Sequence, residues 1–105
     1  MLFMPLASAG SKSDSDWEGV NPWWYVYASV TGYYSGNPAT FYDADYNSWA
    51  YACGWPICWK TAADTLDNNF NSYHAWSHCT GHFYSPAEGY WDCRVDADVY
   101  APDPY

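Results

Sequence analysis

The sequence predicts a small α+β domain in which an antiparallel β-sheet packs against one main α-helix and disulfides add stability. Residues 24–31 and 91–100 each alternate between a drier and a wetter set of side chains. Such period-two alternation, rich in β-branched and aromatic residues, indicates half-buried strands. Residues 61–79 instead repeat apolar side chains at spacings of three and four, which is typical of an amphipathic helix.

The N-terminal part predicts two segments that precede the folded domain. Residues 1–9 contain a short apolar run followed by Ala7-Ser8-Ala9, which resembles the end of a signal peptide. Residues 10–22 are rich in Ser and Asp without periodicity, which predicts a flexible polar lead-in. The single domain then spans 23–105, and we expect it to be secreted to the extracellular space, the cell surface or the periplasm.

The main helix is predicted from its start signal and from its apolar stripe. Thr61 and Asp64 have the spacing of a capping box, and Gly81 is placed to end the helix. Ala62, Leu66, Phe70 and Tyr73 form the stripe. Residues 41–59 are ambiguous: residues 41–42 are consistent with the closing of a hairpin, and residues 47–53 are consistent with a short helix.

Four cysteines allow three disulfide connectivities. We expect Cys53 to pair with Cys58 around a tight turn, and Cys79 to pair with Cys93 between the helix end and the last strand. A crossed pairing is the alternative, because Cys79 falls away from the apolar stripe on a helical wheel. A zinc site formed by the four thiolates is less consistent with the sequence, since no CxxC pair is present.

The charge balance limits the classes of partner. Twelve acidic residues face three basic ones, for a net charge of −9. Nucleic-acid binding needs clustered Lys and Arg, and we therefore expect no nucleic-acid partner. No stretch approaches the roughly 20 apolar residues of a membrane span. Protein partners, self-association and glycans remain.

Two polar patterns predict metal ligands, although no cofactor is expected to be required. His74 and His78 would project from one side of the helix, with His82 nearby, and this spacing suits Zn or Cu. Asp43, Asp45 and Asn47 match the opening of a Ca loop, but no acidic residue stands at the twelfth position.

The aromatic content gives the main functional prediction. The chain has 8 Trp, 12 Tyr and 4 Phe, more large rings than a core of this size can bury. The residues predicted to bind a ligand are Tyr25, Tyr27, Tyr33, Tyr34, Trp55 and Trp59. We expect a non-enzymatic binding module for a protein partner or for self-assembly. The alternatives are a carbohydrate-binding module, a metal-binding protein, and a small secreted hydrolase or toxin.

Overall fold

The computed structural model describes residues 8–102, and all regular secondary structure in this range is β-strand. The strands are β1 Ser8–Val20, β2 Trp24–Gly36, β3 Thr40–Ala52, β4 Trp59–Lys60, β5 Thr65–Phe70, β6 His74–Ser85 and β7 Gly89–Tyr100. The predicted strands at 24–31 and 91–100 are confirmed within β2 and β7. The predicted α+β class is wrong, because the described residues contain no helix.

The strands form two antiparallel sheets that pack face to face as a β-sandwich. The first sheet is the meander β1-β2-β3. In the second sheet β6 is central, with β7 along one edge and both β5 and the short β4 along the other. The inward residues of β2, β3, β6 and β7 form one continuous core between the sheets.

Small side chains dominate the middle of this core. Ala28, Ala75 and Ala97 are fully buried there. The backbones approach so closely at Gly81 that a Cβ atom would lie 2.8 Å from the Cβ atom of Ala50. Small inward residues therefore let the two sheets come together, and most of the large rings lie elsewhere.

One end of the core is filled by three large rings, which we call the inner aromatic cluster: Trp24, Phe83 and Trp91. Their ring centroids are 5.1 Å apart for Trp24 and Phe83, 5.6 Å for Trp24 and Trp91, and 5.3 Å for Phe83 and Trp91. The first of these contacts is tilted, the second edge-on and the third stacked, and offset-stacked and edge-on arrangements are favourable for aromatic pairs. The cluster joins β2 to β6 and β7 and so links the two sheets.

Charged side chains cap both seams of the sandwich. At the β3 edge, the Ala50 N–H donates to Asp64 Oδ2 at 3.0 Å, and Lys60 Nζ donates to the Ala50 carbonyl at 3.0 Å. At the β7 edge, the Asp98 N–H donates to Asp14 Oδ2 at 3.0 Å. These hydrogen bonds satisfy backbone groups that an open edge would offer to another chain.

Residues 10–22 are not a flexible lead-in, because β1 runs through most of them. Ser11, Ser13 and Ser15 lie on its outer face, while Asp14 reaches across the seam to β7. Both faces of this strand are polar, so hydrophobic alternation gives no signal. The predicted signal-like segment 1–9 falls mostly outside the described residues, and only Ser8 and Ala9 belong to β1.

The predicted helix at 61–79 is wrong, and the segment forms β5 and much of β6. From His74 to Ser85 the side chains alternate strictly between half-buried and buried. Leu66, on the predicted apolar stripe, is 51% exposed, and Asp64 caps a strand edge instead of a helix. The short helix predicted at 47–53 is also wrong, since β3 continues to Ala52.

The predicted pairings Cys53–Cys58 and Cys79–Cys93 are not formed in the structure, because no two of the four cysteine sulfurs lie at bonding distance. The sulfurs of Cys53 and Cys58 are 3.8 Å apart. Cys79 and Cys93 lie in offset register on β6 and β7. Burial raises the pKa of Cys79 to about 11. Burial, together with the Glu18 carboxylate, raises that of Cys93 to about 12.

In the described part of the chain, no helix is long and apolar enough to cross a membrane.

Replacing Gly81 by Ala should destabilise the sandwich. The new methyl group would lie 2.7 Å from the Phe83 ring and 2.8 Å from Ala50, and overpacking of this kind costs about 1–3 kcal/mol. We expect the loss in free energy of unfolding by urea. Thr80→Ala, on the outer face of the same strand, is the control and should change it by less than about 0.5 kcal/mol. Equal effects would contradict the close approach of the sheets.

The thiols should react with a thiol reagent at very different rates. Cys79 and Cys58 are almost completely buried, whereas Cys53 is half-buried. Because the exposed thiolate is the reactive species, the native protein at pH 8 should show one fast thiol, assigned to Cys53. The remaining thiols should react at the rate of unfolding, and all four should react at once in denaturant. Rapid reaction of Cys79 in the native state would argue against its place in the core.

Candidate functional site

Five aromatic side chains share the outer face of the first sheet, at the end near the inner aromatic cluster. We call this surface the first aromatic face; it consists of Trp17, Tyr25, Tyr27, Trp49 and Tyr51. Trp17 on β1, Tyr27 on β2 and Trp49 on β3 stand directly opposite one another in the strand register. Tyr25 and Tyr51 form the neighbouring pair. Strand pairing therefore places three rings in one row across the sheet.

The rings of this face are close together and open to solvent. The ring centroids of Tyr27 and Trp49 are 4.6 Å apart with planes tilted by 44°, and those of Tyr25 and Tyr51 are 5.1 Å apart. Trp17 is 57% exposed and Trp49 is 39% exposed. The face forms an open cleft of about 370 Å³, to which Asn21 adds a polar wall.

Hydroxyl and carboxylate groups continue the same face beyond the rings. The next two cross-strand rows are Ser15, Ser29 and Asn47, and then Ser13, Thr31 and Asp45. Ser13 Oγ lies 2.7 Å from Thr31 Oγ1. The Tyr33 hydroxyl donates to Asp45 Oδ2 at 2.6 Å, and this hydrogen bond raises the pKa of Tyr33. A ligand on this surface would meet flat apolar rings first and hydrogen-bonding groups beside them.

The structure separates the six residues predicted to bind a ligand. Tyr25 and Tyr27 lie together on the first aromatic face, and Tyr33 lies further along it. Tyr34 turns inward and packs edge-on against Phe41, with ring centroids 6.5 Å apart. The other two are remote from this face: Trp55 at the tip of a turn, and Trp59 on the outer face of the second sheet, paired with Tyr84.

Three rings of the face were missed by the sequence analysis: Trp17, Trp49 and Tyr51. Trp17 lies in a strand with two polar faces, which hydrophobic periodicity does not detect. Trp49 and Tyr51 alternate with Ala50 and Ala52 on β3. That alternation of large outward and small inward residues is the signal that could have identified them.

His74 and His78 are held by a carboxylate between them. On a strand, α-carbons four residues apart are separated by about 13 Å, so the two rings do not lie side by side as they would on a helix. Asp98 Oδ1 lies 2.7 Å from His74 Nε2 and 2.9 Å from His78 Nε2. Burial alone would raise the pKa of Asp98, but hydrogen bonds from both histidines outweigh it and lower the pKa.

His82 belongs to a separate hydrogen-bonded chain on the same face. Its Nδ1 lies 2.8 Å from Asp92 Oδ1, and its Nε2 lies 2.7 Å from Thr65 Oγ1. The order hydroxyl, imidazole, carboxylate is that of a catalytic triad. However, electrostatic catalysis depends on a water-excluded site, and the side chain of Asp92 is 65% exposed. The arrangement is better suited to binding a polar ligand than to covalent chemistry.

Of the predicted metal ligands, His74 and His78 meet at one oxygen of Asp98, whereas Asp43, Asp45 and Asn47 are spread along β3. No group of three or more His, Cys, Asp or Glu side chains in that part of the chain is arranged to hold a metal ion. Asp43, Asp45 and Asn47 alternate along the extended strand β3 rather than curling around one point. Asp43 accepts a hydrogen bond from the Ala44 N–H instead.

Replacing Asp98 by Asn should change how stability depends on pH. Because the native pKa of Asp98 lies below its ordinary value, the ionised group contributes stability above about pH 4 that is lost as the pH falls through the native pKa. The difference in free energy of unfolding between wild type and Asp98→Asn should therefore shrink from pH 6 to pH 2. Urea unfolding across this range tests it. A constant difference would contradict the linkage.

Comparisons with known proteins identify no family for this chain. No protein-family model, no curated protein and no solved structure matches the chain.

Proposed function

We propose that this protein is a non-enzymatic carbohydrate-binding module that holds a neutral polysaccharide on the first aromatic face. The observation that supports this most is the row of Trp17, Tyr27 and Trp49 across three strands. The sequence alone favours a protein partner, because an ordered row of rings cannot be identified from local patterns. Such a row, beside hydroxyl-bearing rows, favours the carbohydrate alternative.

The chemistry of a sugar ring matches this surface in two ways. A pyranose ring has flat faces of C–H groups, which stack on aromatic side chains, and a rim of hydroxyl groups, which need donors and acceptors. The rings provide large rigid apolar area at low entropic cost. Ser29, Asn47 and Asp45 provide hydrogen-bonding groups next to them.

The charge of the protein favours a neutral glycan over an acidic one. With a net charge of −9 and only three basic residues, the surface would repel a polyanion. Lys12 is the one basic residue on β1, and it lies outside the first aromatic face. We therefore expect glucan, mannan, xylan or chitin chains rather than uronic-acid or sulfated polymers.

The shape of the face favours a single chain over a crystalline surface. The planes of Tyr27 and Trp49 are tilted by 44°, so the rings do not form one flat plane. Their centroid separation of 4.6 Å is comparable with the width of one sugar ring. A twisted polysaccharide chain can follow such a surface, because successive sugar rings can each turn to face a different side chain.

Removing exposed rings of the face should weaken glycan binding. Particles of cellulose, xylan, mannan and chitin identify the polymer in a pull-down, and the matching hexasaccharide gives Kd by calorimetry. We expect Trp17→Ala and Trp49→Ala each to raise Kd at least about tenfold, or ~1.4 kcal/mol. Trp55→Ala removes a ring that is 79% exposed but remote from the face, and should leave Kd unchanged. If the wild type binds none of these four neutral polymers, the proposal is overturned.

Self-association is a second candidate, because a different surface supports it. A cleft of about 420 Å³ at the end of the sandwich is lined by Trp23, Ile57 and the edge of the inner aromatic cluster. Both Trp23 and Ile57 are more than two-fifths exposed, and exposed apolar patches of this kind often contact another protein.

The self-association candidate predicts a concentration-dependent mass. Light scattering of the wild type should show a dimer or larger species that Ile57→Asp converts to a monomer, because the new charge would be buried at the contact. Trp17→Ala should leave the mass unchanged. A wild-type protein that is monomeric at all concentrations would exclude this second candidate without affecting the first.

A further inference from the structure

We infer that the outer face of the second sheet holds a second site for the same class of ligand, so that one molecule binds two polysaccharide chains. This inference rests on the proposed function. We call this surface the second aromatic face; it consists of Trp59, Tyr84 and Tyr90. Trp59 on β4 and Tyr90 on β7 each stand directly opposite Tyr84 on β6.

The second face repeats the geometry of the first. The ring centroids of Trp59 and Tyr84 are 5.0 Å apart, and those of Tyr84 and Tyr90 are 4.6 Å apart. The planes are tilted by 46° and 59°. Each sheet thus presents one row of three rings across three strands. The Tyr27–Trp49 pair of the first row, at 4.6 Å and 44°, resembles both ring pairs of the second.

Hydrogen-bonding groups also lie beside the second row. The neighbouring outward pair is His82 and Asp92, and Thr65 extends it with its hydroxyl 2.7 Å from His82 Nε2. Together they offer an imidazole, a carboxylate and a hydroxyl within one chain of hydrogen bonds. Sugar hydroxyls can donate to the carboxylate and exchange hydrogen bonds with the other two. Binding of sugar hydroxyls would explain why Thr65, His82 and Asp92 form a hydrogen-bonded chain at the surface.

The two faces point in opposite directions from the same end of the molecule. The inner aromatic cluster lies between them: Trp24 precedes Tyr25 of the first face, while Phe83 and Trp91 are adjacent in sequence to Tyr84 and Tyr90. Because successive side chains on a strand point to opposite faces, the cluster lies behind Tyr25 on the first face and behind Tyr84 and Tyr90 on the second. A straight polysaccharide chain can contact one row only, so two occupied rows hold two chains.

Stoichiometry and bridging test the inference on the intact protein. Using the hexasaccharide of the polymer that the wild type binds, calorimetry should give two sites per monomer. It should give one site after Trp17→Ala with Trp49→Ala, and one after Trp59→Ala with Tyr90→Ala. The remaining site should keep its Kd within about twofold, because distant sites are independent. The wild type should also agglutinate particles of that polymer, and neither double variant should do so.

The outcomes separate the two proposals. If the wild type binds none of the polymers, the proposed function itself fails. If it binds one hexasaccharide per monomer, and Trp17→Ala with Trp49→Ala abolishes that binding while Trp59→Ala with Tyr90→Ala leaves it unchanged, the proposed function holds and the second site is overturned. The reverse pattern would overturn both the first aromatic face as the binding site and the two-site inference. Light scattering establishes the mass in each experiment, because a dimer with one site per chain would also bridge particles. Urea unfolding of each double variant confirms that it is folded.

Discussion

The close approach of two sheets through small side chains is the constraint on which the rest of this structure depends. Ala28, Ala75 and Ala97 are completely buried, and Gly81 leaves no room for a Cβ atom against Ala50. A core of this kind has little volume for large rings. In a chain where 23% of the residues are aromatic, most rings must therefore lie at the end of the core or on the outer faces.

Strand pairing then decides how the outward rings are arranged. Alternation alone predicts that Tyr27 and Trp49 point away from the core. Antiparallel register places them side by side, with ring centroids 4.6 Å apart. The same mechanism aligns Tyr84 with Tyr90 on the other sheet. Rows of rings across a sheet are thus a consequence of register, and the inner aromatic cluster links the two sheets at the same end of the molecule.

Several charged side chains form hydrogen bonds within the fold. Asp14 and Asp64 accept hydrogen bonds from backbone N–H groups at opposite seams, which leaves fewer free groups at the sheet edges. Asp98 hydrogen-bonds both His74 and His78. The spacing of these two histidines predicts a metal site if they lie on a helix, but on strand β6 they are joined by the carboxylate. Some of the acidic residues that give the chain its negative charge therefore contribute hydrogen bonds to the fold.

The sequence by itself determined the strands around Val26 and Val95 and the excess of aromatic rings, because period-two alternation and composition are local properties. It led to a helix at 61–79, because apolar residues spaced three and four apart occur by coincidence in β5 and β6. Only the tertiary structure decided that β1 is a strand. One of its faces contacts β7 through Asp14 and the other faces solvent, so both faces are polar and show no hydrophobic alternation. The rows of rings likewise depend on pairing between residues distant in sequence, such as Trp17 and Tyr27, which no local pattern contains.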